Sequence, residues 1–296
     1  MIVSIGEALI DYKEGRPFAG GCPLNVALAV ARCGSPISFI GGISSDALGQ
    51  DILQFIIDNC ILFDPVFCNA KQRTMTVNAT VVENSVKYEF DWKGTSAFAI
   101  EKKQLETVFE NNSDINCAFF GSVSFTDKNT RKEIMDFLDS RKETVRFFDP
   151  NVRPFVIEDM KAYAKVIKDV SSTCQIVKVS EEDLKLCGIE EDELYEICPQ
   201  NMIVTRGENG ATWYSKALNK RFDQAAVKVE NIKDTIGCGD TFSGCVLSLL
   251  DKTGKLPDLE LNEDDIRYIL KTAVKAASLN CTKEGCNPPA INEINS

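Results

Sequence analysis

Beyond residue 115, short apolar segments alternate with segments of helix length, and this pattern constrains the fold more than any other feature. The apolar segments read as near-continuous hydrophobic runs, and they span 117–123, 145–148, 176–179 and 202–205. The segments between them cover about 127–142, 155–170 and 181–198. Strands that are apolar on both faces and joined by helices predict a parallel sheet with helices on both sides.

The N-terminal part of the chain adds the start of the same core. Residues 2–5 and 37–40 are short apolar runs typical of buried strands, and residues 25–31 are small and apolar enough for a buried helix. The remaining predicted core elements are a helix over 47–60, a turn over 207–210, a strand over 211–215 and helices over about 240–250 and 263–280.

One region has a different periodicity. From residue 74 to 81 polar and apolar residues alternate, and the alternation resumes from 86 to 92 after Glu83-Asn84-Ser85. A period of two predicts a β-hairpin with one buried face. The sequence therefore predicts one α/β domain over residues 1–296 with a small β-sheet inserted near its N-terminal half.

Charge and composition exclude several classes of function. Thirty-three basic and 44 acidic residues give a net charge of −11. This charge disfavours general binding to nucleic acid or to an anionic membrane surface. The chain contains no histidine. A catalytic triad with histidine and a histidine-containing zinc site are therefore excluded. A carboxylate, a lysine or a thiolate must carry any proton transfer near neutral pH.

The twelve cysteines indicate a reducing environment. None belongs to a Cys-x-x-Cys pair, and most lie in apolar runs where free cysteine packs as a small hydrophobic residue. The first residues lack the basic start and long apolar stretch of a signal peptide, and no run reaches the ~18 apolar residues of a membrane span. We therefore expect a cytoplasmic protein.

The densest motif is Asp234-Thr-Ile-Gly-Cys-Gly-Asp240, which runs directly into an apolar helix. Glycines on both sides of Cys238 allow backbone amides to point at one spot, and the helix N-terminus adds partial positive charge there. Such a site holds an anion, usually a phosphate. Asp240 falls in the first turn of the helix, where a carboxylate stays ionised and accepts a proton. A helix start merely capped by glycine and aspartate explains the same residues equally well.

A second glycine motif, Gly20-Gly-Cys-Pro-Leu-Asn25, also leads into a buried helix. The glycines allow a ligand to approach the backbone, and the Asn25 amide offers both a donor and an acceptor for hydroxyl groups. Asp11, shortly after the first strand, offers a carboxylate for two hydroxyl groups. Taken alone, a tight turn before a helix and an aspartate that caps a turn are the simpler explanations.

Two familiar phosphate-binding arrangements are absent from the sequence. There is no Gly-x-x-x-x-Gly-Lys-Ser/Thr loop, and without histidine the usual His-Arg-Asp loop of protein kinases is missing too. The two glycine motifs, in this order and at this separation, instead resemble the signatures of the ribokinase-like (PfkB) family of sugar kinases. The resemblance covers essentially the whole chain. Three segments favour the fructokinase branch: Gly6-Glu-Ala-Leu-Ile-Asp11, Gly20–Asn25 and Asp149-Pro-Asn-Val-Arg153.

The resemblance implies a fold and an activity. The fold is a three-layer α/β/α core with a mostly parallel sheet and a small β-sheet lid, formed by about 72–94 with part of 11–20. The activity is ATP-dependent phosphorylation of a sugar hydroxyl, with Mg²⁺ accompanying ATP. Closure of the lid would exclude water and suppress ATP hydrolysis. The lid would also form the contact of a homodimer.

The resemblance also implies roles for individual residues. Asp240 matches the catalytic base, and Gly237, Cys238 and Gly239 match the anion hole. The positions implied for the sugar are Asp11, Gly20, Gly21, Asn25, Phe90 and Arg153. The positions implied for ATP are Thr205, Gly207, Gly210, Gly237 and Gly239. Asp183 matches an element tied to magnesium, in direct contact or through water, and a monovalent cation, commonly potassium, is implied near Asp234, the Ile236 carbonyl and the loop around Gly285.

Three departures from the family pattern lead to further expectations. Cys238 stands where alanine is usual, and its place at a helix N-terminus could lower its pKa. We therefore expect sensitivity to thiol reagents, unless the thiol merely replaces the alanine without effect.

Ser180 replaces an asparagine, as in many fructokinase-like members. In the lid, relatives acting on ketodeoxygluconate carry Tyr and Arg, whereas Asp91 here would repel a carboxylate if it faced the pocket. Phe90 or Trp92 would stack on the sugar or form lid core.

The sequence thus predicts a kinase that converts fructose and MgATP to fructose 6-phosphate and ADP. Another acceptor (ketodeoxygluconate, ribose or a nucleoside) is the first alternative. A non-catalytic sugar-binding subunit of the same fold is the second, although such a protein usually loses the aspartate or the glycines that are intact here.

Overall fold

Two β-sheets organise the molecule. A computed structural model describes the backbone of residues 1–68, 70–82 and 85–295, and the side chains of these residues except 79–82 and 85–88. Within the described residues the strands are β1 (Ile2–Ile5), β2 (Leu9–Lys13), β3 (Arg16–Gly20), β4 (Ile37–Ile40), β5 (Leu62–Phe63), β6 (Met75–Val82), β7 (Ser85–Asp91), β8 (Cys117–Gly121), β9 (Val145–Asp149), β10 (Ile176–Ser180), β11 (Asn201–Thr205), β12 (Ala211–Ser215) and β13 (Lys220–Gln224).

The larger sheet has the order β13-β12-β11-β10-β9-β8-β1-β4-β5. The strands from β11 to β5 are parallel, and β12 and β13 add an antiparallel edge. Because parallel strands point the same way, the loops that follow β8, β9, β10 and β11 all leave from one edge of the sheet. Ligands of open α/β sheets bind outside this carboxyl edge.

Helices cover both faces of the larger sheet. In chain order they are α1 (Cys22–Arg32), α2 (Ala47–Asp58), α3 (Lys102–Asn111), α4 (Lys128–Asp139), α5 (Met160–Ser171), α6 (Glu181–Cys187), α7 (Glu191–Ile197), α8 (Cys238–Lys252), α9 (Glu263–Asn280) and α10 (Ile291–Asn295). Neighbouring strand residues belong to opposite cores. Phe119 and Phe147 pack with α1, α8 and α9, whereas Phe120 and Phe148 pack with α4 and α5. This two-sided burial explains why the strands are apolar throughout.

The smaller sheet has the order β3-β2-β6-β7. The hairpin predicted from alternation forms β6 and β7, which pair antiparallel. β2 pairs antiparallel with β3 and parallel with β6. The sheet therefore combines the β2–β3 hairpin, which lies between β1 and α1, with the β6–β7 hairpin, which follows α2 and β5 in the chain. Its opening and closing, and a homodimer through it, stay predictions.

Several element boundaries differ from the sequence-based expectation. The helix predicted over 181–198 is two helices, because Gly188 adopts a left-handed conformation (φ 61°) and ends α6. The helix predicted to start near 155 begins at Met160, after a 3₁₀ turn over Pro154–Val156. The residue patterns did not predict the helices α3 and α10 or the strands β2, β3, β5 and β13, although the resemblance implied that part of 11–20 belongs to the lid.

The described part of the chain contains no helix that is both long and apolar enough to cross a lipid bilayer.

Candidate active site

The two glycine motifs meet at the carboxyl edge of the larger sheet. Asn25 lies in the first turn of α1 and Asp240 in the first turn of α8, and the Asn25 Nδ2 donates to Asp240 Oδ2 at 2.8 Å. Both side chains are buried, with 6% and 9% of their surface exposed. The two helices can approach closely because Gly244 has no side chain. A Cβ at this position would lie only 2.4 Å from the Ala29 Cβ. The contact fixes the direction of the Asp240 carboxylate.

The start of α8 leaves backbone amides available. Gly237 caps the helix with φ 71°, a conformation that favours glycine, and a Cβ there would lie 2.5 Å from the Cys286 Sγ. The Cys238 amide makes a long 3.3 Å bond to the Thr235 carbonyl. Among the described residues, no backbone carbonyl accepts from the amides of Gly239 and Asp240. These are the unpaired donors that a helix N-terminus offers to an anion.

A buried lysine lies beside this helix start. The Lys178 Nζ would be 3.4 Å from a Cβ at Gly239, and no other atom lies within 4 Å of that position. Its ammonium donates to the Asp149 Oδ2 at 2.9 Å, and the two side chains are 5% and 0% exposed. Burial alone would lower the pKa of Lys178, but the charges of Asp149 and Asp183 raise it above its ordinary value. A permanent positive charge therefore lies next to the open amides.

Asp11 supplies a second carboxylate near Asp240. It lies in β2, and burial raises its pKa to about 6, with the nearby Arg153 acting to lower it and Asp240 to raise it further. Asp11, Asp240 and Arg153 are thus close enough for their charges to interact.

The two glycines before α1 are required by this arrangement. A Cβ at Gly20 would lie 2.6 Å from the Asp11 Oδ2, so a larger residue would displace the carboxylate. Gly21 has φ 104° and a Cβ there would lie 2.6 Å from the Glu7 carbonyl oxygen. Both positions therefore need glycine for close approach, whether or not a ligand touches them.

The residues expected to meet the nucleotide follow β11 on the same edge. Thr205 ends the strand and pairs with Ser180 at the end of β10. Gly207 has open space where a Cβ would be, whereas a Cβ at Gly210 would lie 2.0 Å from the Gln224 carbonyl oxygen. Gly207 therefore leaves room for a ligand, and Gly210 is explained by the packing of its turn against the end of β13.

Asp183 is engaged in a helix cap. Its Oδ2 accepts from the amide and the hydroxyl of Ser180 at 2.7 and 2.6 Å, and its Oδ1 accepts from the Val152 amide at 2.7 Å. The Ser180 hydroxyl in turn accepts from the Asp183 amide, which completes a capping box. Both carboxylate oxygens already accept hydrogen bonds from the protein, which disfavours direct coordination of magnesium but is compatible with a contact through water. Among the described residues no group of three metal-ligating side chains comes together.

Cys238 is not the activated thiol that its position suggested. Burial, the hydrogen bond to Cys281 and the charge of Asp240 raise its pKa to about 12, although the Asn280 amide acts to lower it. Its Sγ lies 2.8 Å from the Cys281 Sγ. The expected lowering of the Cys238 pKa is therefore wrong, and burial of the thiol is the largest cause of the opposite shift.

The lid residues have partners within the protein. The ring of Phe90 stacks on the ring of Phe155 at an interplanar angle of 13°, in a cluster that includes Leu9 and Val77. Asp91 is exposed and forms an ion pair with Arg73. The Asp91 charge is thus neutralised on the surface, and it does not supply the repulsion of a carboxylate that we expected from a pocket-facing residue.

The sequence profile of the pfkB family carbohydrate kinases matches residues 2–293. The chain belongs to this family. A fructokinase from Rhizobium leguminosarum bv. trifolii is 28% identical over 266 residues, covering 84% of this chain and 79% of that protein. The kinase is therefore a phosphotransferase that acts on a sugar hydroxyl.

Solved structures of the family share the fold. A fructokinase from Xylella fastidiosa with bound ATP aligns with a TM-score of 0.85 at 20% identity and covers 99% of this chain and 96% of its own. A double-mutant fructokinase from Vibrio cholerae, bound to fructose, ADP and a potassium ion, aligns with a TM-score of 0.78 at 23% identity, covering 99% and 96%. The expected ribokinase-like architecture is confirmed.

Sequence reasoning missed Lys178 in this PfkB kinase. The residue lies inside β10, whose apolar neighbours Val177 and Val179 predict only a buried strand. A charged residue in such a strand must have a partner, and that requirement was the available clue. The partner, Asp149, lies on the adjacent strand β9 and becomes apparent only in the folded chain.

Proposed function

We propose that this kinase transfers the γ-phosphoryl group of MgATP to fructose, giving fructose 6-phosphate and ADP. The observation that carries the proposal is the hydrogen bond between Asn25 and Asp240, which joins the two glycine motifs into one site. The fructokinase relatives at modest identity support fructose as the acceptor.

Asp240 acts as the base in the proposed reaction. It accepts the proton of the acceptor hydroxyl while the oxygen–phosphorus bond forms and the bond between the γ-phosphorus and its bridging oxygen breaks. ADP leaves with the electron pair of that bond. Asn25 holds the carboxylate in place, and Asp11 accepts hydrogen bonds from other hydroxyls of the sugar. The transition state of phosphoryl transfer is loose, so positioning contributes more than the strength of the base.

The positive side of the site meets the phosphoryl group. Among the described residues the amides of Gly237, Gly239 and Asp240 have no backbone acceptor, and the Lys178 ammonium lies 3.4 Å from the Cβ position of Gly239. They stabilise the charge that develops on the phosphoryl oxygens. When bound, magnesium neutralises phosphate charge, and we expect its ligands to be nucleotide phosphates and water, since the Asp183 oxygens are engaged.

The test of this role is the variant Asp240→Asn, with Asp251→Asn near the other end of α8 as its matched control. Turnover with MgATP and fructose, measured as ADP released, should fall ~10²–10⁴-fold in Asp240→Asn, the usual effect of losing a general base. ATP binding and the activity of Asp251→Asn should stay near wild type. Turnover of Asp240→Asn within about threefold of wild type would remove Asp240 from this role.

The acceptor is tested separately with a panel of fructose, ribose, ketodeoxygluconate and nucleosides. The highest kcat/KM for fructose is the expected result. A higher value for another acceptor would change the substrate but leave the site and the chemistry as proposed. Sugar-dependent thermal stabilisation without any ADP release would instead indicate a binding protein that has lost catalysis.

A further inference from the structure

The place expected for a monovalent cation already holds a positive charge of the protein. Asp234 is 9% exposed, and its Oδ2 accepts from the Lys13 Nζ at 2.8 Å and from the Gly285 amide at 3.2 Å. Its Oδ1 accepts from the Ile236 amide at 2.9 Å. A potassium ion needs oxygen ligands, whereas the groups that surround this carboxylate are donors. The residues at Asp234 therefore do not fit a free cation.

Lys13 reaches Asp234 because of its position on β2. Side chains two residues apart in a strand share a face, so Lys13 lies on the same face as Asp11. The strand turns after Lys13 and returns with Arg16, whose Nη2 donates to the Glu284 Oε1 at 2.8 Å. Two adjacent ion pairs thus join the smaller sheet to the segments on either side of the active-site loop.

Lys13 lies between two carboxylates. Its Nζ is 2.8 Å from the Asp234 Oδ2 and 3.9 Å from the Glu284 Oε1. The Lys13 ammonium therefore provides one positive charge beside Asp234, three residues before the Gly237 cap of α8.

We propose that the Lys13 ammonium takes the place of a monovalent cation in this protein, so that the kinase works without potassium. The ammonium neutralises Asp234 and holds the turn that presents the open amides of α8. The inference rests on the proposed function only in that this turn binds the nucleotide phosphates. The Vibrio cholerae relative, in contrast, has a potassium ion bound.

The experiment compares ADP affinity and thermal unfolding in potassium chloride and in tetramethylammonium chloride at equal ionic strength. Wild type should bind ADP equally well in both salts. Lys13→Met removes the charge but keeps the length of the side chain. Without potassium it should bind ADP more weakly than wild type. Potassium should raise its ADP affinity roughly fivefold or more, which is the lower end of the usual coupling between two binding sites. Lys13→Arg should behave as wild type.

The control is Arg16→Met, which removes the neighbouring ion pair but leaves Asp234 and Lys13 in place. It should show no potassium effect. A potassium-specific gain in wild type would overturn the proposal, and so would a Lys13→Met protein that binds ADP equally in both salts. Should Lys13→Met fail to fold, the wild-type and Lys13→Arg measurements decide alone. Neither readout requires sugar phosphorylation, so failure of the Asp240 test is distinguishable from failure here.

Discussion

The buried charge of Asp11 lowers the free energy of unfolding of the protein, and the size of this loss can be measured. Its pKa rises from 3.8 to about 6 on folding, and burial is the largest cause. A difference of this size corresponds to ~3 kcal/mol. The raised pKa means that the folded protein binds the proton more tightly than the unfolded chain does. Ionised Asp11 therefore lowers the free energy of unfolding.

The pH dependence follows from the two pKa values. Below about pH 3 the carboxyl is protonated in both states, and there is almost no loss of stability. As the pH rises, the unfolded chain loses the proton first, and the loss grows to ~1 kcal/mol near pH 4.5 and ~3 kcal/mol above about pH 6.5. The variant Asp11→Asn removes this loss. It should therefore be more stable than wild type near neutral pH, with the gain shrinking as the solution is acidified.

Urea unfolding at several pH values measures the gain, with Asp51→Asn on the exposed surface of α2 as the control. The same Asp11→Asn protein should bind sugar poorly, because the amide is uncharged and one of the two acceptor oxygens becomes an NH2 donor. Hydrogen bonds to a charged group contribute about 1.5–3 kcal/mol, so KM for the sugar should rise roughly 10–100-fold while KM for ATP stays unchanged. Equal or lower stability of Asp11→Asn at neutral pH would refute the reasoning.

Two further predictions concern the groups around the start of α8. Lys178→Met should lower turnover by ~10²-fold or more, measured as ADP release. It should also reduce the free energy of unfolding in urea by about 3–5 kcal/mol, because Asp149 loses its partner. Adding Asp149→Asn should restore the stability but not the turnover. Iodoacetamide should modify the exposed Cys60 well before Cys238, because about 10⁻⁴ or less of the Cys238 side chain is thiolate near neutral pH. Peptide mass spectrometry that found Cys238 modified first would contradict this.

The large sheet could be predicted from the sequence because its strands are buried on both faces. Phe119 and Phe120 are adjacent and both fully buried, one in each core. Such runs stand out without knowledge of the fold. The hairpin β2–β3 did not stand out, because its residues are partly exposed, include charges and lack a clear alternation. Its pairing with β6 is made by residues far apart in the chain.

The motifs predicted where the chemistry would lie, but not how each charge would be used. Each glycine motif alone left a simpler explanation open, and the family resemblance placed Asp240 and Asn25 in one site; the structure does bring them into contact. The Ser180–Asp183 capping box is local in the sequence, but two distant partners could not be predicted: the Val152 amide on Asp183 and Lys13 of the smaller sheet on Asp234. A carboxylate in a sequence indicates a possible ligand, and only its neighbours in the fold decide whether it is free.

These differences between carboxylates bear on the choice of acceptor. Asp91 is neutralised by Arg73 on the surface, so it does not discriminate between sugars. In the proposed reaction the acceptor meets the charges of Asp11 and Asp240, and Arg153 is a cation close enough to act on Asp11. Two negative charges and one positive charge would favour a neutral acceptor with several hydroxyl donors over one with its own carboxylate, because a third negative charge would lack a partner in a partly buried site. We therefore expect an uncharged sugar, such as the proposed fructose, to satisfy both carboxylates through its hydroxyls.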